Sequence, residues 1–207
     1  NSITSAHPGR TKLPFSRNLF GRTEIAYYDK PSVPEQPTTI LTMDLWGLFE
    51  WAQRLAQAGV AFKLLQSTTR LNMFVSDCVE LHAHGTRPRH RDLFEFDSWS
   101  AAERRYHDHP GFRRIDKMLG DQYSYQHWRA TAKFIDSSNS GYALGQIQDA
   151  RNREFETVLL TPDVAYHVWN TDSSMFAAAG SAIYVAVTRA RRRLVVPERL
   201  RDWLEEL

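Results

Sequence analysis

Four arginines fall within five residues near the end of the chain: Arg189, Arg191, Arg192 and Arg193. A guanidinium is planar, permanently charged and forked, so arginine is the side chain suited to stabilising charge on a transferring phosphoryl group. The apolar run Ile183 to Ala190 before them has helical spacing, and Leu194-Val195-Val196 after them is largely β-branched. The stretch therefore predicts a helix feeding a buried strand. Two roles are open to its basic end: the solvated end of a core helix, or a contact for phosphate.

Other reactive residue types offer less. His82, His84, His90, His107 and His109 invite a metal hypothesis. Structural zinc needs about four convergent N or S ligands, commonly from cysteine pairs or a helical His-x-x-x-His, and neither pattern occurs, so no metal ligand is assigned. The single cysteine, Cys78, excludes an internal disulfide and lies on an apolar helical stripe, which predicts a core position. No Ser/His/Asp or Cys/His spacing suggests a nucleophilic enzyme.

The order Tyr184-Val185-Ala186-Val187-Thr188-Arg189-Ala190, followed by basic residues and a strand, resembles motif VI of superfamily 1 helicases of the UvrD/Rep type. Upstream, Gly145 to Leu160 (GQIQDARNREFETVLL) is similar to motif V of that family, roughly G-T-h-H-x-x-K-G-L-E-F-D-x-V with h apolar. Glu154, Phe155, Glu156 and Val158 fit in register, and Arg151 stands at the family's lysine. Gln146 replaces threonine, Gln148 histidine, Asn152 glycine and Arg153 leucine. Leu41 to Leu45 corresponds to motif IV, where Met43 stands in place of an arginine that touches the γ-phosphate.

The resemblance implies an α/β fold, a RecA-like, mostly parallel sheet with helices on both faces and a short helical insertion. It implies the second RecA-like domain of an ATP-dependent DNA helicase. Arg189 would be the arginine finger, Glu154 with Arg189 would bind nucleotide, and Gln146, Gln148 and Arg151 would face nucleic acid. ATP with Mg2+ is the implied cofactor, held mainly by a first RecA-like domain, and single-stranded DNA is the implied partner. A phosphate-binding loop, G-x-x-x-x-G-K-[ST], occurs at none of the ten glycines, and no Asp-Glu pair ends an apolar strand. Together with a first residue Asn1 that is not methionine, this predicts a fragment that does not hydrolyse ATP alone. The competing expectation is a degenerate helicase domain, kept to bind nucleic acid or protein without ATPase activity.

Composition sets the outer limits. The 207 residues suffice for one sizeable core, and 42% hydrophobic with 24% charged residues reads as a globular chain. A net charge of +2 is too small to imply a nucleic-acid partner by bulk electrostatics, so any such contact must be local. No apolar run approaches a membrane span, and no signal-peptide core appears, so a cytoplasmic or nuclear setting is expected.

The elements that must hold these residues follow in order. Residues 1–37 read as an extended arm and connector, with an edge strand over Thr23 to Asp29. Residues 38–91 form the first half of the sheet domain: a strand at Thr38 to Met43, a helix capped by Asp44 and ended by Gly59, and a strand at Val60 to Gln66. A helix from Thr69 to His84, stopped by Gly85, completes that half. The basic loop Thr86 to Arg91 (TRPRHR) is either solvated or a phosphate contact. Residues 92–140 read as a helical insertion whose arginines (Arg104, Arg105, Arg113, Arg114) and aromatics either stack on bases or, more commonly for such spacing, fill the core. Residues 141–207 form the second half. A turn at Ser137 to Gly141 leads into it, and it holds strands at Tyr142 to Ile147 and Phe155 to Leu160 and a loop from Thr161 to Asp172. The motif VI helix follows, capped by Ser173 or Ser174, and a last amphipathic helix opens at Pro197 with Leu200, Trp203, Leu204 and Leu207 inward.

Overall fold

The computed structural model describes residues 23–135, 140–169 and 173–205, without side-chain detail at 173–179, 203 and 205. The expected lead-in of residues 1–22, most of the turn at 137–141, the Ser173 or Ser174 cap, and the inward Trp203 and Leu207 lie outside this description.

Strands β1 (Glu24–Tyr28), β2 (Thr39–Thr42), β3 (Lys63–Leu64), β4 (Ala143–Gln146), β5 (Phe155–Leu160) and β6 (Ala190–Pro197) form one sheet. Its order is β1-β6-β5-β2-β4-β3, and every pairing is parallel. Parallel strands need crossovers that cover both faces, so the inner strands must be apolar on both sides. Adjacent residues of one strand accordingly enter different cores. Ile40 and Leu159 join one, and Leu41, Val158 and Leu160 join the other.

The first core lies under α1 (Leu45–Gln57), α2 (Thr68–His84), α3 (Trp99–Tyr106), α4 (Pro110–Gly120) and α5 (Tyr125–Ala132). The second lies under α6 (Pro162–Trp169) and α7 (Ser173–Val187). The fold is thus α/β, with a parallel sheet flanked by helices as the resemblance implied.

Local chemistry sets the ends of these helices. The Asp44 carboxylate accepts from Gly47 N at 3.0 Å and starts α1, and Ser67 starts α2. Gly85, at φ 63°, closes α2 in the left-handed conformation that glycine adopts without strain. Cys78 is fully buried on α2.

Most aromatics of the insertion fill the core, while Phe94 and Tyr125 stand exposed. Trp46 meets Phe74 and Phe112 edge-on at 4.9 Å each, and Trp99 stacks on Phe112 at 5.2 Å. A methyl group added at Gly111 would lie 2.8 Å from the Trp46 carbonyl, so α4 crosses α1 with backbones nearly touching.

Three expectations need correction. The strand at Val60 to Gln66 shrinks to Lys63–Leu64, paired with β4, and Phe62 before it makes a single bridge to Ile135. The expected loop after Thr161 contains α6, started by Pro162 at a position where its missing N–H costs nothing and by Asp163 in the first turn. Pro197 ends β6 instead of opening a helix. A 3₁₀ turn, Glu198–Leu200, then leads into α8 (Arg201–Glu205), with Leu200 buried as expected.

Candidate functional site

The register separates the sequence-derived site residues into two groups on opposite edges of the sheet. Gln146 pairs with Thr42 at the C-terminal end of β2, whereas Phe155 pairs with Ala190 at the start of β5 and β6. The six residues of β5 put about 20 Å between these edges.

At the N-terminal edge, Glu154 and Arg189 come together. Phe155 N donates to the Arg189 carbonyl at 2.8 Å. The Arg189 guanidinium, half-buried, donates through Nε to Val185 O (3.1 Å), and through its terminal nitrogens to Arg153 O (3.0 Å) and Thr188 Oγ1 (3.0 Å). Glu154 accepts from Arg191 Nε at 2.9 Å and remains about half exposed. The other arginines of the cluster are also paired, Arg192 with Glu156 at 3.3 Å and Arg193 with Glu24 at 3.6 Å.

At the C-terminal edge the expected nucleic-acid residues divide. Gln148, just past β4, is exposed, and Arg151, also exposed, lies in the turn that carries the chain back toward Phe155 at the other edge. Gln146 is buried and reaches Met43 O at 3.4 Å, so it serves the strand ends and offers nothing to solvent.

This edge also carries a group the sequence did not reveal. The chain leaves β2 into α1 on one face and leaves β5 into α6 on the other, the kind of divergence at which parallel sheets open a crevice. Asp44, His167 and Asp163 stand there, joined by His109 from the start of α4. Asp44 Oδ2 accepts from His109 Nε2 at 2.9 Å and from His167 Nε2 at 2.7 Å. Asp163 Oδ2 accepts from the backbone N–H groups of Met43 (2.7 Å) and Asp44 (3.3 Å), and Asp163 Oδ1 accepts from the Thr161 hydroxyl.

The electrostatics follow from burial and these bonds. Burial alone would raise the Asp44 carboxyl, but the N–H groups of His109 and His167, with the charge of His167, hold it well below the usual carboxylate range. Burial would lower His167, and the hydrogen bond and charge of Asp44, helped by Asp163, outweigh it and push the imidazole up. Asp163 is pushed up by burial and then by the neighbouring Asp44 charge. The starts of α1, α4 and α6 converge on the two carboxylates, so three positive helix ends also face them.

Asp44 Oδ2, His109 Nε2 and His167 Nε2 lie within 4.8 Å of one another, the donor set of a two-histidine, one-carboxylate metal site. The imidazole of His109 argues against that use. Its Nδ1 accepts from Phe112 N at 3.1 Å as the cap of α4, so the ring proton sits on Nε2, the nitrogen a metal would need. The group is a hydrogen-bonded hub that ties β2, α4 and α6 together. Nothing in the residue spacing signals it, since His109 and His167 lie 65 and 123 residues from Asp44.

Among the described residues, no helix is long and apolar enough to cross a membrane. Comparison of the chain with protein-family models and with curated proteins returns no match.

Proposed function

We propose that this chain acts as the second RecA-like domain of an ATP-dependent DNA helicase of the UvrD/Rep type. It works against a first domain that brings the phosphate-binding loop and Mg2+. The observation that carries the reading is the junction of Glu154 and Arg189, two residues 35 positions apart that meet through the Phe155 to Arg189 main-chain bond.

A second feature supports it. Asn152, at the position of the family's glycine, has φ 60°, the left-handed backbone that glycine favours and asparagine tolerates best among other residues. The replacement thus keeps the turn that leads Glu154 into β5.

ATP would supply the phosphoryl group whose transfer drives the motor. The chain's own residues suit a supporting role in that chemistry. The half-exposed Glu154 carboxylate can accept from a ribose hydroxyl beside its Arg191 partner. Arg189 can exchange two neutral hydrogen bonds, to Arg153 O and Thr188 Oγ1, for charge-assisted bonds to a phosphate, while Val185 O keeps its Nε oriented. The exposed Gln148, at the other edge, and Arg151, in the turn between the edges, would face the single strand.

One observation favours the second reading, a binding module without ATPase activity. Met43 stands where the family has an arginine, and the adjacent Asp44 is committed to His109 and His167. ATPase measured with single-stranded DNA on the intact protein that carries this chain separates the two. A DNA-stimulated rate that falls about 10³-fold or more in Arg189→Ala supports the motor. No ATPase in folded wild type leaves the binding module.

A further inference from the structure

The most basic stretch of the sequence, Arg191 to Arg193, is neutralised by Glu154, Glu156 and Glu24 in the folded sheet. The loop after α2 is arranged differently. Pro88 and His90 are buried, and Arg87, Arg89 and Arg91 between and beside them are exposed, so the loop presents three arginines to solvent. Asp77 fixes the backbone in that form: its Oδ2 accepts from Arg89 N at 2.7 Å and His90 N at 2.6 Å. The His90 ring packs edge-on against Phe74 at 5.4 Å.

These charges are available. Among the described residues neither Arg87 nor Arg89 is in an ion pair, and Arg91 meets only Asp92, at 3.3 Å, with 86% of its side chain exposed. Next to the row stands Phe94, 56% exposed although Leu93 and Phe96 on either side are buried. Phe94 and Arg91 border a cavity of about 390 Å³ walled by Trp46, Phe74 and Tyr106, with Asp44 and His167 also lining it. Asp92 and Glu95 line the same cavity, so its interior disfavours a polyanion, which is left to the exposed arginines outside it.

We propose that Arg87, Arg89, Arg91 and Phe94 form a contact for single-stranded nucleic acid, the arginines following phosphates and Phe94 stacking on a base. A row of exposed cations alone would suit any polyanion. An aromatic ring standing free beside it selects a chain with unstacked bases. The cavity continues the edge that carries Gln148, since its Asp44 directly follows Met43, whose carbonyl holds Gln146. The contact therefore rests on the reading that this edge faces the single strand, and adds a segment that motif V does not contain.

The test is fluorescence anisotropy of a labelled oligothymidylate with the intact protein, across a salt series. Three variants are compared: Phe94→Ala, the pair Arg87→Gln/Arg89→Gln, and the motif V pair Gln148→Ala/Arg151→Gln. All changed side chains are exposed, and circular dichroism establishes that each variant is folded.

Phe94→Ala should weaken binding roughly tenfold at unchanged salt dependence. The double arginine variant should reduce the slope of log K against log salt by about 1.4. Wild-type affinity in both, with loss only in the motif V pair, overturns this contact and leaves the helicase reading standing. Absence of oligothymidylate binding by wild type at low salt, or binding of phosphatidylserine vesicles in its place, also overturns it. The Arg189 ATPase comparison reads the helicase proposal separately.

Discussion

Removing the Asp44 carboxylate should cost the fold far more than an ordinary polar truncation. In Asp44→Ala, α1 loses its cap bond to Gly47 N, worth about 1 kcal/mol. His109 is fully buried, and its Nε2–H loses its partner, a penalty of about 1–3 kcal/mol for an orphaned buried donor. His167 is 26% exposed and can turn its N–H to water, so it adds little. The sum, about 2–4 kcal/mol, is a large share of a typical domain stability of roughly 5–15 kcal/mol. Asp44→Asn should recover only part of this, because one amide oxygen cannot both cap α1 and accept from the histidines, and the NH₂ would face an N–H.

The same substitution should flatten the pH profile of stability. His167 is raised in the folded state, so its contribution is complete below its ordinary value and is lost as pH rises through the raised one. Asp44 is lowered, so its contribution is present above the ordinary carboxylate value and is lost as pH falls toward the depressed one. Between about pH 4 and 6.5 both are complete. Asp163, raised in the fold, opposes this on the acid side, since its contribution is lost as pH rises above its ordinary value.

Urea unfolding followed by tryptophan fluorescence at a series of pH values measures all of this, with His167 titrated by NMR in parallel. A loss below about 1 kcal/mol in Asp44→Ala, or an unchanged His167 titration, would refute the hub.

Two further outcomes test the packing. In Gly47→Ala the new methyl would sit 2.6 Å from Asp163 Cγ, which cannot retreat without breaking its bonds to Met43 N and Asp44 N. Urea unfolding should show a loss of about 1–3 kcal/mol. Burial and the adjacent Asp77 push the Cys78 thiol up, so a thiol reagent should modify it in the native protein only as fast as the fold opens, and quickly in urea. Rapid labelling of the native protein would place α2 outside the core.

Much of the fold was legible locally. The apolar run at Ile40 and Leu41 announced a strand buried on both faces, Asp44 and Gly59 bracketed α1, and Leu71, Phe74, Val75 and Cys78 marked the inner face of α2. Each signal depends on residues within a few positions of one another, where spacing along the chain fixes which side chains share a face. The α6 helix was missed because its eight residues, with Tyr166, His167 and Trp169, carry too short an apolar repeat to register a period.

The sequence by itself determined the α/β alternation, the start of α1 at Asp44, the stop of α2 at Gly85 and the resemblance at Glu154 and Arg189. Tertiary structure alone decided which charges remain available. It brought Glu24, Glu154 and Glu156 against the arginines of β6, left Arg87 and Arg89 without ion pairs among the described residues, and turned Gln146 inward. It also drew Asp44, His109 and His167 together from three separate elements. The physical reason is that pairing and desolvation depend on neighbours in space. In a parallel sheet those neighbours are set by crossovers that rearrange sequence order, as β1-β6-β5-β2-β4-β3 does here.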